Sequence, residues 1–172
     1  MGLLDQLLLQ GDDSLLHQEL VKKRGYTSTV EGGINSGLGN MYNYSGPMLW
    51  TAELIHDPGV SPEQIMTAVN AVISGVREKP IDQKMLDRAL VKLRSNLYST
   101  IAEMVGLGKL DLLASFALFD DNPARINTLE DEFRKVTPVI AQKTAREYLR
   151  DTNRTVLIAV PPQSKPAAGG IQ

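Results

Sequence analysis

His17 and His56 are the only imidazoles in this 172-residue chain, which contains no cysteine. A hydrolytic zinc site keeps about three protein ligands and an open position for a water whose pKa the metal lowers. Glu19 lies two residues after His17, but no second histidine follows at helical spacing, so neither H-E-x-x-H nor H-x-x-E-H occurs. His17 reads as a helix-surface residue and His56 as a hydrogen-bonding or solvated residue at a strand end. A thiol nucleophile and a cysteine metal site are excluded, and the G-x-S-x-G turn of a nucleophilic serine is missing, with Ser36 and Ser45 in loops. Gly37, Leu38 and Gly39 lack the third glycine and following helix of a dinucleotide loop, so they read as a strand-to-strand connection. The chain is therefore expected to hold no catalytic residue, cofactor or metal ligand of its own. The remaining candidate is the basic run Lys22, Lys23, Arg24 with Tyr26. It would either grip a peptide carbonyl or carboxylate, or compensate the dipole of a helix end.

Composition sets the frame for these residues. With 42% apolar and 22% charged residues the chain reads as one globular domain over 1–161, followed by a disordered tail over 162–172 rich in Pro, Ala and Gly. A domain of this size buries roughly 70% of its unfolded surface, enough for a core without metals or disulfides. Eighteen basic against 20 acidic side chains give a net charge of −2, which excludes a nucleic-acid partner bound through a cationic face. The apolar opening over residues 3–9 is too short for a membrane span and lacks the features of a signal peptide. The compartment is left open.

The elements that must position these side chains follow from spacing and punctuation. Residues 3–10 read as a helix stopped by Gly11, and Asp12, Asp13 and Ser14 offer N-cap oxygens for a second helix ending near Arg24 and Gly25. Thr, Val and Gly content predicts a bent strand over 26–34. The shared parity of Met48, Trp50, Ala52 and Leu54 predicts a half-buried strand antiparallel to it. Ser61, Pro62 and Gln64 form a capping box for a helix with Ile65, Met66, Val69, Val72, Ile73 and Val76 on one face, ended by Pro80.

Asp82 caps a longer helix whose stripe runs through Leu86, Leu90, Leu93, Leu97, Ile101 and Met104 to a break at Gly106 and Gly108. Residues 110–119 are apolar nearly all round and predict a buried helix, with Leu112, Leu113, Phe116 and Phe119 in the core. Thr128 and the pair Thr137 and Pro138 start two more helices, the second with Ile140, Ala141, Thr144, Ala145 and Leu149 on one side. The β-branched run 155–160 predicts a last strand, closed by Pro161 and Pro162.

Residues 7–25, LLLQGDDSLLHQELVKKRG, together with the strand pair, the helix start at Ser61, the helices over 127–148 and the closing Asn153, Arg154, Thr155 and Val156, resemble the insulinase/pitrilysin family of zinc peptidases. The likeness spans about residues 3–161. It implies an α+β half-module, an antiparallel sheet with helices on one face, lacking its first one or two strands. Such modules pair like a clam around peptides. The chain is similar to the copy without the zinc motif, which implies an inactive domain shaping a peptide chamber, zinc in a catalytic half, and that half as partner in the same or a separate chain. In such copies an arginine on the second helix and a tyrosine seven residues later contact substrate; Val21 and Ser28 stand at those positions, and Leu15 replaces the arginine of a Ser-Arg-Leu helix start. Arg24 and Tyr26 are the substitutes close at hand. The absent pair leaves open a second reading, a structural module that only buries a partner surface; a parallel sheet would point instead to an unrelated binding domain. Missing strands would also expose a sheet edge to self-association or a partner strand.

Overall fold

The leucine-rich opening folds into a helix, Gly2–Leu8 (α1), whose residues from Leu3 onward are all buried. The computed structural model describes residues 1–39, 41–42, 44–102 and 107–159. Ser14 is the N-cap of a single turn, Leu15–His17 (α2), but its hydroxyl is buried and caps nothing. The chain then widens into a π segment, Gln18–Lys23. Arg24 N donates to Glu19 O (3.2 Å) and Tyr26 N to Leu20 O (2.8 Å), with Gly25 at φ +61° taking the left-handed stop that a side chain would resist. The second helix thus ends where predicted, though most of it is not α-helical.

The sheet is smaller than the predicted strands. Glu31–Ile34 (β1) pairs antiparallel with Trp50–Glu53 (β2), in the register Glu31 to Glu53, Gly32 to Ala52, Gly33 to Thr51 and Ile34 to Trp50. Outside it Thr27 meets His56 in an isolated antiparallel bridge. The antiparallel pairing removes the unrelated binding domain with a parallel sheet. The predicted alternation of β2 is not realised: Trp50 and Thr51 are half-buried, while Ala52 and Glu53 are exposed. Gly32, opposite Ala52, has no side chain to pack there, and a Cβ on it would collide with the Thr51 carbonyl oxygen.

Helices supply the rest of the described chain. Pro62–Glu78 (α3) starts on the predicted capping box, Ser61 N to Gln64 Oε1 at 2.9 Å and Gln64 N to Ser61 Oγ at 3.3 Å, and buries Ile65, Ala68, Ile73 and Val76. Gln83–Ala102 (α4) is capped by Asp82, whose Oδ1 accepts from Lys84 N and Met85 N, and buries Leu86, Ala89, Leu93 and Leu97. Met104 and Gly106 lie outside the described residues, and Gly108 falls inside the next helix, Leu107–Asp120 (α5), rather than at a break. The predicted burial of α5 is corrected: only Leu112, Ser115 and Phe116 are buried, Leu113 is half-buried, and Leu110, Leu118 and Phe119 are exposed. The helix packs against α4 and the 3-10 turn Pro123–Asn127, and no described element covers its other side.

Leu129–Arg134 (α6) follows Thr128, which does not cap it with its side chain, whereas Thr137 Oγ1 accepts from Ile140 N (3.3 Å) at the start of Pro138–Tyr148 (α7). Two apolar clusters result. The larger joins α1, α3, α4, α5, α6 and α7 around Leu4, Leu8, Leu112, Phe116, Leu129 and Ala145. The smaller joins Leu9, Leu16, Leu20, Val30, Ile65 and Ala68, and Trp50 packs against both.

The predicted last strand is also corrected. After a 3-10 turn, Asp151–Asn153, residues 155–159 have no ladder, turn or bend, because no strand stands beside them among the described residues. Residue 160 and the predicted tail over 162–172 lie outside the described residues.

Candidate functional site

Arg24 and Tyr26 flank the glycine that ends the π segment, and the fold brings their side chains together. Arg24 Nη1 donates to Tyr26 Oη (3.3 Å) and its guanidinium carbon lies 5.6 Å from the centre of the Tyr26 ring. Glu19, one turn back, accepts from Arg24 Nε at 2.6 Å and from Lys23 Nζ at 2.9 Å. These two cations hold the Glu19 carboxyl below its usual range, Lys23 contributing first, and Glu19 raises the Arg24 pKa further. The guanidinium, on an exposed residue, is thereby oriented rather than free.

The backbone beneath this pair is tied to the end of the second strand. Asp57 N donates to Tyr26 O (3.2 Å), the Thr27 hydroxyl donates to Ile55 O (2.6 Å), and His56 Nδ1 donates to the Asp57 carbonyl oxygen (2.9 Å). What results is an exposed guanidinium over a half-buried ring that packs against the smaller cluster, on a fixed backbone and able to donate to a carbonyl or carboxylate. Of the positions singled out by resemblance, Val21 is half-buried against the smaller cluster, Leu15 is half-buried against the larger one, and Ser28 is exposed.

The two histidines, as the described residues place them, do not fit a hydrolytic zinc. His17 Nε2 lies 3.8 Å from Asp12 Oδ1, while His56 belongs to the bridge with Thr27. Among the described residues no group of three His, Asp or Glu side chains converges on a point. A cavity of about 250 Å³, lined by Leu4, Met41, Leu93, Phe133 and Ile140, shares no residue with the Arg24 and Tyr26 pair. Among the described residues no helix is long and apolar enough to cross a membrane.

Sequence reading missed a polar cluster behind the sheet. Trp50 Nε1 donates to the buried Asp5 (2.7 Å to Oδ1), and Gln10 Nε2 donates to Gly32 O (3.2 Å). Lys92 Nζ donates to Gln6 O (2.9 Å), Gln10 O (2.8 Å) and Asp13 Oδ1 (2.8 Å). Lys92 therefore satisfies the Gln6 carbonyl, which the last turn of α1 leaves unpaired, and the Gln10 carbonyl just beyond the helix. The partners are about 80 residues apart in sequence, beyond the reach of any local pattern.

No protein-family model matches the chain and no curated protein matches it. Solved structures do. A candidate zinc protease from Bordetella pertussis Tohama I is 22% identical with a TM-score of 0.70, over 89% of this chain and 78% of its own. The inactive peptidase domain of a candidate zinc protease from Bordetella parapertussis is likewise 22% identical with a TM-score of 0.70, over 90% and 78%. The fold is that of zinc-protease domains. A protease from Helicobacter pylori matches at 20% identity and a TM-score of 0.68, over 88% of this chain, which spans only 34% of that longer protein. The α+β class implied by the resemblance is the class observed.

Proposed function

We propose that the chain is a catalytically inactive domain of a zinc metallopeptidase. In this reading it forms one wall of a peptide-enclosing chamber and pairs with a catalytic half that carries the zinc. The observation that carries the proposal is the fold shared with an inactive peptidase domain, in a chain whose two histidines do not converge with other ligands among the described residues. Its chemistry is binding. Arg24, held by Glu19 and lying over Tyr26, donates to a carbonyl or the carboxylate of a peptide threaded between the halves, while bond cleavage takes place at the partner's metal.

A second reading is favoured by Val21 and Ser28, which stand at the positions where the family resemblance implies a substrate-contacting arginine and tyrosine. On that reading the chain is an assembly module that buries the partner's surface without touching substrate. Steady-state kinetics of the assembled pair separates the two. If Arg24 and Tyr26 touch peptide, Arg24→Ala and Tyr26→Phe raise KM several-fold and leave complex formation intact; if they do not, both constants are unchanged and the assembly reading stands.

A further inference from the structure

The last turn of α3 is capped from α7 by two side chains that meet on one oxygen. Arg77 O accepts from Gln142 Nε2 (3.1 Å) and from Arg146 Nε (2.7 Å), donors that the final carbonyls of a helix lack within the helix itself. A backbone oxygen therefore fixes the Arg146 guanidinium against a second arginine, and like charges are held side by side. Among the described residues neither guanidinium is paired with a carboxylate. The Arg77 Nε–H is buried and meets no acceptor there, an arrangement that costs stability unless something binds to it.

The surroundings carry the same sign. Asn70, Ser74 and Arg77 recur along one stripe of α3, and Arg154 donates to Asn70 Oδ1 two helical turns from Arg77. Over 77–79 and 143–154 the basic residues are Arg77, Lys79, Lys143, Arg146, Arg150 and Arg154, against Glu78, Glu147 and Asp151, in a chain whose net charge is −2. Lys79, Lys143, Arg146 and Arg150 are exposed. Of the three acids, Asp151 is the one placed on a cation, 3.6 Å from Arg154 Nη2. The residues that are not described add a single acidic side chain, Glu103.

We propose that Arg77 and Arg146 form a docking site for a carboxylate of a partner protein, carried on an acidic segment that lies along the seam between α3 and α7. Charge complementarity is the argument: a carboxylate there accepts from both guanidiniums, offsets their repulsion and supplies the acceptor that the Arg77 Nε–H lacks. Arginine suits the task, because its planar fork presents paired donors to the two oxygens of one carboxylate. A phosphate backbone fits less well, since Glu78, Glu147 and Asp151 interrupt the cationic row and the chain as a whole is acidic. The inference rests on this seam alone and is independent of the peptidase reading.

Nitrogen NMR of the purified chain tests it, with an acetylated and amidated glutamate-rich peptide as probe and its glutamine counterpart as control. The Nε–H signals of Arg77 and Arg146 should shift with the first peptide and not with the second, and the affinity should fall as salt is added. Arg77→Gln removes a side chain that makes no bond among the described residues; it should weaken Kd about tenfold and leave the melting temperature in place. Arg146→Lys keeps the charge and loses the fork, and should weaken binding as well. Lys84→Gln makes the same charge change as Arg77→Gln on exposed α4 and should alter Kd by no more than about twofold. Unmoved arginine signals, equal binding of the glutamine peptide, or equal weakening by Lys84→Gln would overturn the proposal. So would inorganic phosphate binding as tightly as the peptide, which marks a small-anion site, or Glu103→Gln shifting the Arg77 signal without peptide, which gives the site to the chain's own carboxylate.

Discussion

The Trp50 indole donates to the Asp5 carboxyl over 2.7 Å, joining β2 to α1 through a buried acid. Burial raises the Asp5 pKa above its ordinary value of 3.8, against the opposing pull of Trp50 and Gln10. A carboxyl whose folded pKa is raised favours the folded state at low pH, and that contribution is lost as pH rises through the folded value. Asp5→Asn keeps an oxygen for Trp50 and removes the buried charge, so it should raise the melting temperature at pH 7 and flatten this part of the pH profile. Asp5→Ala leaves the indole N–H unpaired and should cost about 1–3 kcal/mol. Thermal melts of the two variants across pH check both outcomes.

Lys92 ends in three oxygens, two of them backbone carbonyls, Gln6 in the last turn of α1 and Gln10 just beyond it. Lys92→Met should destabilise by about 1–3 kcal/mol in urea, since Gln6 O and Gln10 O lose their donor. Hydrogen bonding to Lys92 also holds the Asp13 carboxyl below its ordinary range. Its stabilising effect is present above the unfolded pKa and is lost as pH falls through the lowered folded one. In the variant the Asp13 carboxyl should titrate closer to its ordinary value, measured by carbon NMR.

Phe116 is fully buried, with the Tyr42 ring edge-on at 6.0 Å and the Arg125 guanidinium carbon 5.2 Å from its centre. Phe116→Ala should cost about 3–5 kcal/mol, read from the denaturation midpoint. Leu118→Ala, two residues along on the exposed side of the same helix, should change stability far less.

Glu19 is held down by Lys23 first and Arg24 second. In Arg24→Ala its carboxyl should move back toward its ordinary range while the melting temperature stays put, because exposed ion pairs contribute little to stability. An NMR titration of Glu19 reads the first effect and a thermal melt the second.

The parts of the fold legible in the sequence were those fixed by local chemistry. The capping box at Ser61 and Gln64, the Asp82 cap, the glycine stop at Gly25 and the Thr137 cap each act within a few residues, and each stands where the residue types placed it. What misled was composition without knowledge of neighbours. Residues 110–119 look like a buried helix, yet one side of α5 has nothing packed on it; residues 155–159 look like a strand, yet no ladder reaches them. The alternation at Trp50 and Ala52 failed because Gly32 opposes Ala52, a fact of register. Arg24 and Tyr26 were legible as a pair because only Gly25 separates them. Their fixation by Glu19 depends on the π segment, which residue spacing does not announce.

The proposed function assigns peptide cleavage to a partner's metal, with this chain completing the site. Hydrolysis of a quenched fluorescent peptide, followed for the chain alone, for a zinc-bearing peptidase half alone and for their equimolar mixture, addresses it most directly. No turnover is expected from the chain alone, whereas the mixture should exceed the half alone and lose its activity to a chelator. Chelator-sensitive turnover by the chain alone would contradict it.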